Sequence, residues 1–95
     1  MLYTFAEASY PERLLVDYLQ RATPQDAIVL WQDGVYLCLK YPDLFLSLEA
    51  PCYALDIDMM ARNMQSLINV NEIIKPISVT QLVELSEKHF PQFAL

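Results

Sequence analysis

The stretch Ala27-Ile28-Val29-Leu30-Trp31-Gln32-Asp33-Gly34 decides how this chain is read. Its opening apolar run leaves no alternation between a wet side and a dry side, the pattern of a strand covered on both faces. Gln32-Asp33-Gly34 then ends the run. Asp-Gly is turn chemistry, with aspartate bonding to nearby backbone and glycine supplying the positive φ that other residues resist. An acid at the carboxyl end of a strand could also serve as a general base or phosphoacceptor, because open α/β sheets bind ligands there. No second acidic cluster accompanies Asp33, so a catalytic pair cannot be assembled from this segment. The turn reading is preferred.

Toward the N-terminus, residues 1–6 (MLYTFA) alternate loosely and suit a first strand. Ser9 and Glu12 form an S-x-x-E capping box with Pro11 in the first turn. Leu14, Leu15, Tyr18, Leu19 and Ala22 follow at helical spacing, and Thr23-Pro24 stops the helix. Toward the C-terminus, residues 35–50 leave two readings open. They form one short helix, a turn at Tyr41-Pro42-Asp43 and a second helix, or they end in an extended piece. Pro51 opens a third strand over Cys52–Asp56. Asp58 is expected to cap a helix running through Met59, Met60, Arg62 and Asn63. Ile73–Ile77 reads as a short strand, and Pro76 places it at a sheet edge. Ser78 and Gln81 make a second capping box for a helix with Val79, Leu82, Val83 and Ser86 on one side, ending near His89. Strands alternating with helical segments imply an α/β layered domain, with a mainly parallel sheet, over residues 1–95 as one unit.

The bulk numbers narrow the function. The chain has 95 residues, enough for a single core. Its hydrophobic fraction is 55%, above the usual ~45–50%, and six tyrosines add to the surplus. That excess is most simply placed at a subunit contact. The net charge is −6, and the six basic residues are scattered, so no positive stripe exists to follow a phosphate backbone. No direct nucleic-acid binding is expected. The start MLYTFAEASY lacks a basic leader and a long apolar core, and runs such as AIVLWQ and GVYLCL fall far short of the ~20 residues that span a bilayer. No membrane association and a cytoplasmic location follow as expectations. A lone glycine excludes both a P-loop and a dinucleotide fingerprint. Cys38 and Cys52 form neither a CxxC nor a metal-ligand pattern, so free thiols are expected, with no cofactor and no metal.

Three segments carry a likeness that no single motif does. LWQDGVY at 30–36, YALDIDMMARN at 53–63 and SVTQLVELSEKH at 78–89 together resemble the TusB/DsrH family in order, spacing and chain length. The opening Met1-Leu2-Tyr3-Thr4 is similar to that family's first strand. The resemblance implies a small three-layer α/β/α sandwich of the DsrE/DsrF/DsrH type. It also implies a subunit of a sulfur-relay complex, a heterohexamer completed by TusC-like and TusD-like homologous subunits. Such a complex takes persulfide sulfur from an upstream carrier protein and hands it to a downstream one, toward 2-thiolation of the tRNA wobble uridine. The persulfide cysteine belongs to the TusD-like subunit. DsrH proteins of sulfur oxidisers instead carry a cysteine in the first helix, where this chain has Tyr18. The resemblance therefore implies a non-catalytic structural subunit. The alternative is a DsrH-like or rhodanese-like carrier that uses Cys38 or Cys52 itself.

The remaining chemistry-bearing residues have plain readings. A relay thiol must ionise, which takes nearby positive charge or a helix N-terminus and some exposure. Cys38 lies among Val35, Leu37 and Leu39, with Lys40 as its only close cation in sequence, and Cys52 opens an apolar strand. Both read as small buried hydrophobes. His89, the sole imidazole, sits in a last helical turn, where partial charge complements the macrodipole. Met59, Met60 and Met64 read as packing rather than a metal site. The tail Phe90-Pro91-Gln92-Phe93-Ala94-Leu95 either folds back on its own domain or docks on a neighbour. Tyr36, Phe90, Phe93 and Leu95 are the residues expected at a subunit contact.

Overall fold

The computed structural model describes residues 1–64 and 73–95. Strands β1 (Leu2–Phe5), β2 (Ala27–Leu30), β3 (Cys52–Leu55), β4 (Ile74–Ile77) and β5 (Gln92–Ala94) form one sheet in the order β4-β3-β2-β1-β5. Every neighbouring pair is parallel. Helix α1 (Glu12–Arg21) links β1 to β2. A 3-10 helix (Gln32–Tyr36), α2 (Leu37–Lys40) and α3 (Pro42–Leu46) link β2 to β3. Helix α4 (Asp56–Ala61) follows β3, and α5 (Val79–Lys88) joins β4 to β5.

The two sheet faces hold separate cores. Tyr3, Phe5, Ile28, Leu30, Cys52, Ala54 and Ile74 face Leu15, Leu19, Val35, Leu37, Phe45 and Met59. Leu2, Ala27, Val29, Leu55 and Ile77 face Leu82 and Leu85 of α5. The split follows from topology. From β1 to β4 the chain moves across the sheet in one direction, and from β4 to β5 it returns to the far edge. A right-handed crossover that reverses direction must pass over the opposite face, which is where α5 lies. All four residues of β1 and of β2 are buried, as strands covered on both sides require.

Several local expectations hold and others are corrected. The capping box before α5 is complete: Gln81 N–H donates to Ser78 Oγ at 3.1 Å and Ser78 N–H to Gln81 Oε1 at 2.8 Å. The Ser9/Glu12 box does not form. Pro11 is itself the N-cap, with φ −53° and ψ 126°, and no side chain caps α1. Glu12 thereby becomes the first helical residue, too early to reach back, and proline has no N–H to receive it. Asp58 is not a cap either. Helix α4 starts directly after β3 at Asp56, and the Asp58 carboxylate goes instead to Gln32. The open segment 35–50 resolves into short helices that break at Tyr41, with Pro42 at the start of α3.

Gly34 corrects the turn argument. Its φ is not positive; the left-handed residue is Gln32, with φ 50°. Glycine is required for space, because a Cβ on Gly34 would lie 1.9 Å from the Phe5 carbonyl oxygen.

The tail adds a strand to its own sheet. After a cis Phe90–Pro91 bond, β5 pairs with β1: Leu2 N–H donates to Pro91 O at 3.1 Å and Leu95 N–H to Thr4 O at 2.9 Å. Tyr10 locks the end, accepting from Ala6 and Glu7 N–H at 3.0 and 3.1 Å and donating to Leu95 O at 2.7 Å.

The other end of β1 is tied electrostatically. The Met1 ammonium lies 2.9 Å from Asp26 Oδ1, and the Thr23 N–H and hydroxyl both donate to Oδ2, at 2.8 and 3.2 Å. The Thr23 N–H bond, followed by the ammonium, holds the Asp26 carboxyl below the usual carboxylate range. A carboxyl whose pKa falls on folding stabilises above its unfolded value of about 3.9, and the benefit disappears as pH drops through the lower folded value. Asp26→Asn is therefore expected to cost about 1–2 kcal/mol near neutral pH. Urea titrations at stepwise lower pH should show the variant and the parent converging once the carboxyl is protonated.

Candidate functional site

At the carboxyl ends of β2 and β3 an arginine clamp closes the sheet. Gln32, held in its left-handed conformation, donates its N–H to Asp58 Oδ2 at 2.7 Å. Arg62 donates from Nε and Nη2 to Asp33 Oδ1 at 3.1 and 2.8 Å, and from Nη1 to Asp58 O at 3.0 Å. Its guanidinium also sits 5.9 Å from the Tyr36 ring centroid. The hydrogen bond to Asp33 holds the proton on Arg62 more tightly still. Asp33 is thus ion-paired and fixes the turn, rather than standing free as a base. Two of the segments that carry the family likeness, 30–36 and 53–63, meet through this clamp.

The thiols are sealed. Cys38 and Cys52 are buried, at 5% and 3% exposure, on the larger core face. Cys38 Sγ contacts Val35 O at 3.2 Å. Burial pushes both thiols up, and Cys52 is raised further by neighbouring Cys38. Lys40 does not offset this, because its ammonium donates to Ala8 O at 3.3 Å. A thiol raised by burial supplies almost no thiolate at neutral pH, and sulfur transfer needs the thiolate.

Tyr18, at the first-helix position of interest, meets the Tyr3 ring edge-on at 5.8 Å, and Tyr3 stacks on Phe93 at 5.6 Å. Beside Tyr18 is a shallow hollow of about 380 Å³ lined by Pro11, Arg13, Leu14, Asp17 and Arg21. His89 is structural: its N–H closes α5 on Leu85 O, and Nδ1 lies 3.0 Å from Gln25 O. Met59 and Met64 are buried and Met60 is exposed. Among the described residues no cluster of His, Cys, Asp and Glu is arranged to hold a metal ion, and no helix is long and apolar enough to cross a membrane.

Of the expected contact residues, Phe90, Phe93 and Leu95 come together along the β5 edge. Phe90 is 74% and Phe93 39% exposed, and Leu95 packs partly on the larger core. Tyr36 sits apart from them, under Arg62. Sequence reasoning missed Tyr10, Asp26 and the Arg62 clamp. Thr23-Pro24-Gln25-Asp26 carries a turn signal that would have found Asp26. Tyr10 and Arg62 join local partners to residues far along the chain, Leu95 and Asp33, and no local pattern marks those distant bonds.

Fold and site together define a parallel, layered α/β domain with two buried thiols and an exposed, apolar strand at one edge of its sheet. The chain belongs to the DsrH-like protein family, whose model matches residues 8–92. It is 45% identical over 95 residues, all of both chains, to an uncharacterized protein of Haemophilus influenzae. It is also 36% identical over 97 residues, 99% of each chain, to proteins named TusB from Yersinia pestis and from Yersinia pseudotuberculosis.

Proposed function

We propose that this chain is a non-catalytic structural subunit of a heteromeric sulfur-relay complex, supporting persulfide transfer toward 2-thiolation of the tRNA wobble uridine. The observation that carries the reading is the sealing of both thiols, together with Tyr18 in the first helix. Membership of the family, and full-length relatives named TusB, support the relay context. Residues 1–95 act as one cytoplasmic unit alongside TusC-like and TusD-like chains, without touching nucleic acid or membrane. The transfer runs between other thiols: a partner's thiolate attacks the outer sulfur of a carrier persulfide, a new S–S bond forms, and the carrier leaves as a thiolate with no net redox change.

The test is double replacement of Cys38 and Cys52 by alanine in the co-expressed complex. Sulfur transfer per assembled complex should stay within about twofold of the parent, because burial disfavours the thiolate at both positions. Complete loss of transfer would refute the reading. Incubation with a persulfide donor gives the second measurement. A gain of about 32 Da, one sulfur, on either thiol would favour a carrier role instead.

A further inference from the structure

The two edges of the sheet are treated differently. Strand β4 presents exposed Lys75 and Pro76, a charge and a missing donor, two devices that stop an edge from recruiting another strand. Strand β5 has neither. All three of its residues are exposed, residues 90–95 carry no charged side chain, and Phe90 and Phe93 stand at the surface. The β1–β5 bonds use Pro91 O and Leu95 N–H, so by parallel alternation the Phe93 peptide groups also face β1. The N–H and C=O groups of Gln92 and Ala94 therefore point away from the sheet.

We propose that the β5 edge pairs with the β5 edge of a second copy of this chain, antiparallel about a two-fold axis through Phe93. In that register Gln92 faces Ala94 of the other copy twice over. Each of these is a hydrogen-bonded pair, so every outward N–H and C=O of both strands is satisfied by the same short segment. Phe93 meets its own counterpart as the non-hydrogen-bonded pair on the axis, with Cα atoms about 4.5 Å apart, and each ring already rests on its own Tyr3. The axis joins the aromatic stacks of the two copies into one row. Spacing allows it: the two β1 strands lie about 14 Å apart, three strand spacings, wide enough for an α1 helix on each side. Charge selects for it too. The chain carries −6 overall, yet residues 90–95 have no charged side chain, so two copies meet here without like-charged side chains in register. The pairing goes beyond the sulfur-relay reading and stands without it.

Sedimentation velocity of the full-length chain should show a concentration-dependent species of about twice the 11.0 kDa chain mass. Ala94→Pro removes an outward N–H that β1 does not use and leaves Phe93 in an extended conformation it already has. It should weaken association by about tenfold or more with an unchanged circular dichroism spectrum. The second arm is covalent. Phe93→Cys should form an intermolecular disulfide readily, because its Cα atoms meet at bridging distance. Gln92→Cys, which faces Ala94 rather than itself, should not. A chain that stays monomeric throughout, a dimer indifferent to Ala94→Pro, or equal crosslinking of the two cysteine variants would overturn the proposal. Should Ala94→Pro fail to fold, the crosslinking comparison decides alone.

Discussion

Replacing Gly34 by alanine is expected to destabilise the protein by about 3 kcal/mol, although the φ at this position is not positive. The added Cβ would stand 1.9 Å from Phe5 O and 2.6 Å from Phe5 C. These are backbone atoms of a central strand, and Phe5 O already accepts from Trp31 N–H at 3.1 Å, so they cannot retreat without opening the β1–β2 ladder. A loss of that size should lower the urea midpoint with little change in slope. The informative comparison is Gln32→Gly. Gln32 is the residue with positive φ, and its N–H bond to Asp58 survives the change. That variant should be neutral or slightly more stable. If Gly34→Ala proved harmless while Gln32→Gly did not, the close-approach account would be wrong.

Phe5→Ala should cost a comparable 3–5 kcal/mol, for a different reason. The ring is fully buried and stands edge-on to Tyr10 at 5.5 Å. Deleting it leaves a cavity and removes the wall that orients Tyr10. The Tyr10 hydroxyl is the only described link from the loop after β1 to the carbonyl of Leu95, so the damage should spread to β5. Thermal unfolding is expected to shift down by on the order of 20 °C. Hydrogen exchange should show the Leu95 amide losing protection more than the β2 and β3 amides do. Equal loss across all strands would argue against Tyr10 as the carrier.

These variants mark where local reading succeeds and where it stops. The apolar run at 27–30, the Leu15, Leu19 and Ala22 part of the α1 stripe and the Ser78/Gln81 box are all decided by residues within a few positions of each other and appeared where expected, whereas Leu14 of that stripe is exposed. The edge position of β4 also followed from Pro76 alone. The candidate site was legible only in part. Burial of Cys38 and Cys52 could be argued from their apolar neighbours, and the turn at Asp33-Gly34 from its composition. The role of Gly34 was misassigned because its constraint comes from Phe5, a strand away. The Ser9/Glu12 box failed because Pro11 took the cap. The tail strand escaped notice because three exposed residues after a proline carry no period.

Near-neighbour chemistry was thus enough for the layered parallel architecture and for the burial of both thiols. Spacing along the chain governs propensity and amphipathicity, and both survive in any correct reading of residues. The arginine clamp, the Tyr10 latch and the β5 edge depend on contacts between segments that lie 26 to 91 positions apart. Which of many distant partners a side chain meets is settled by how the layers pack, because the closure of long loops leaves no local trace.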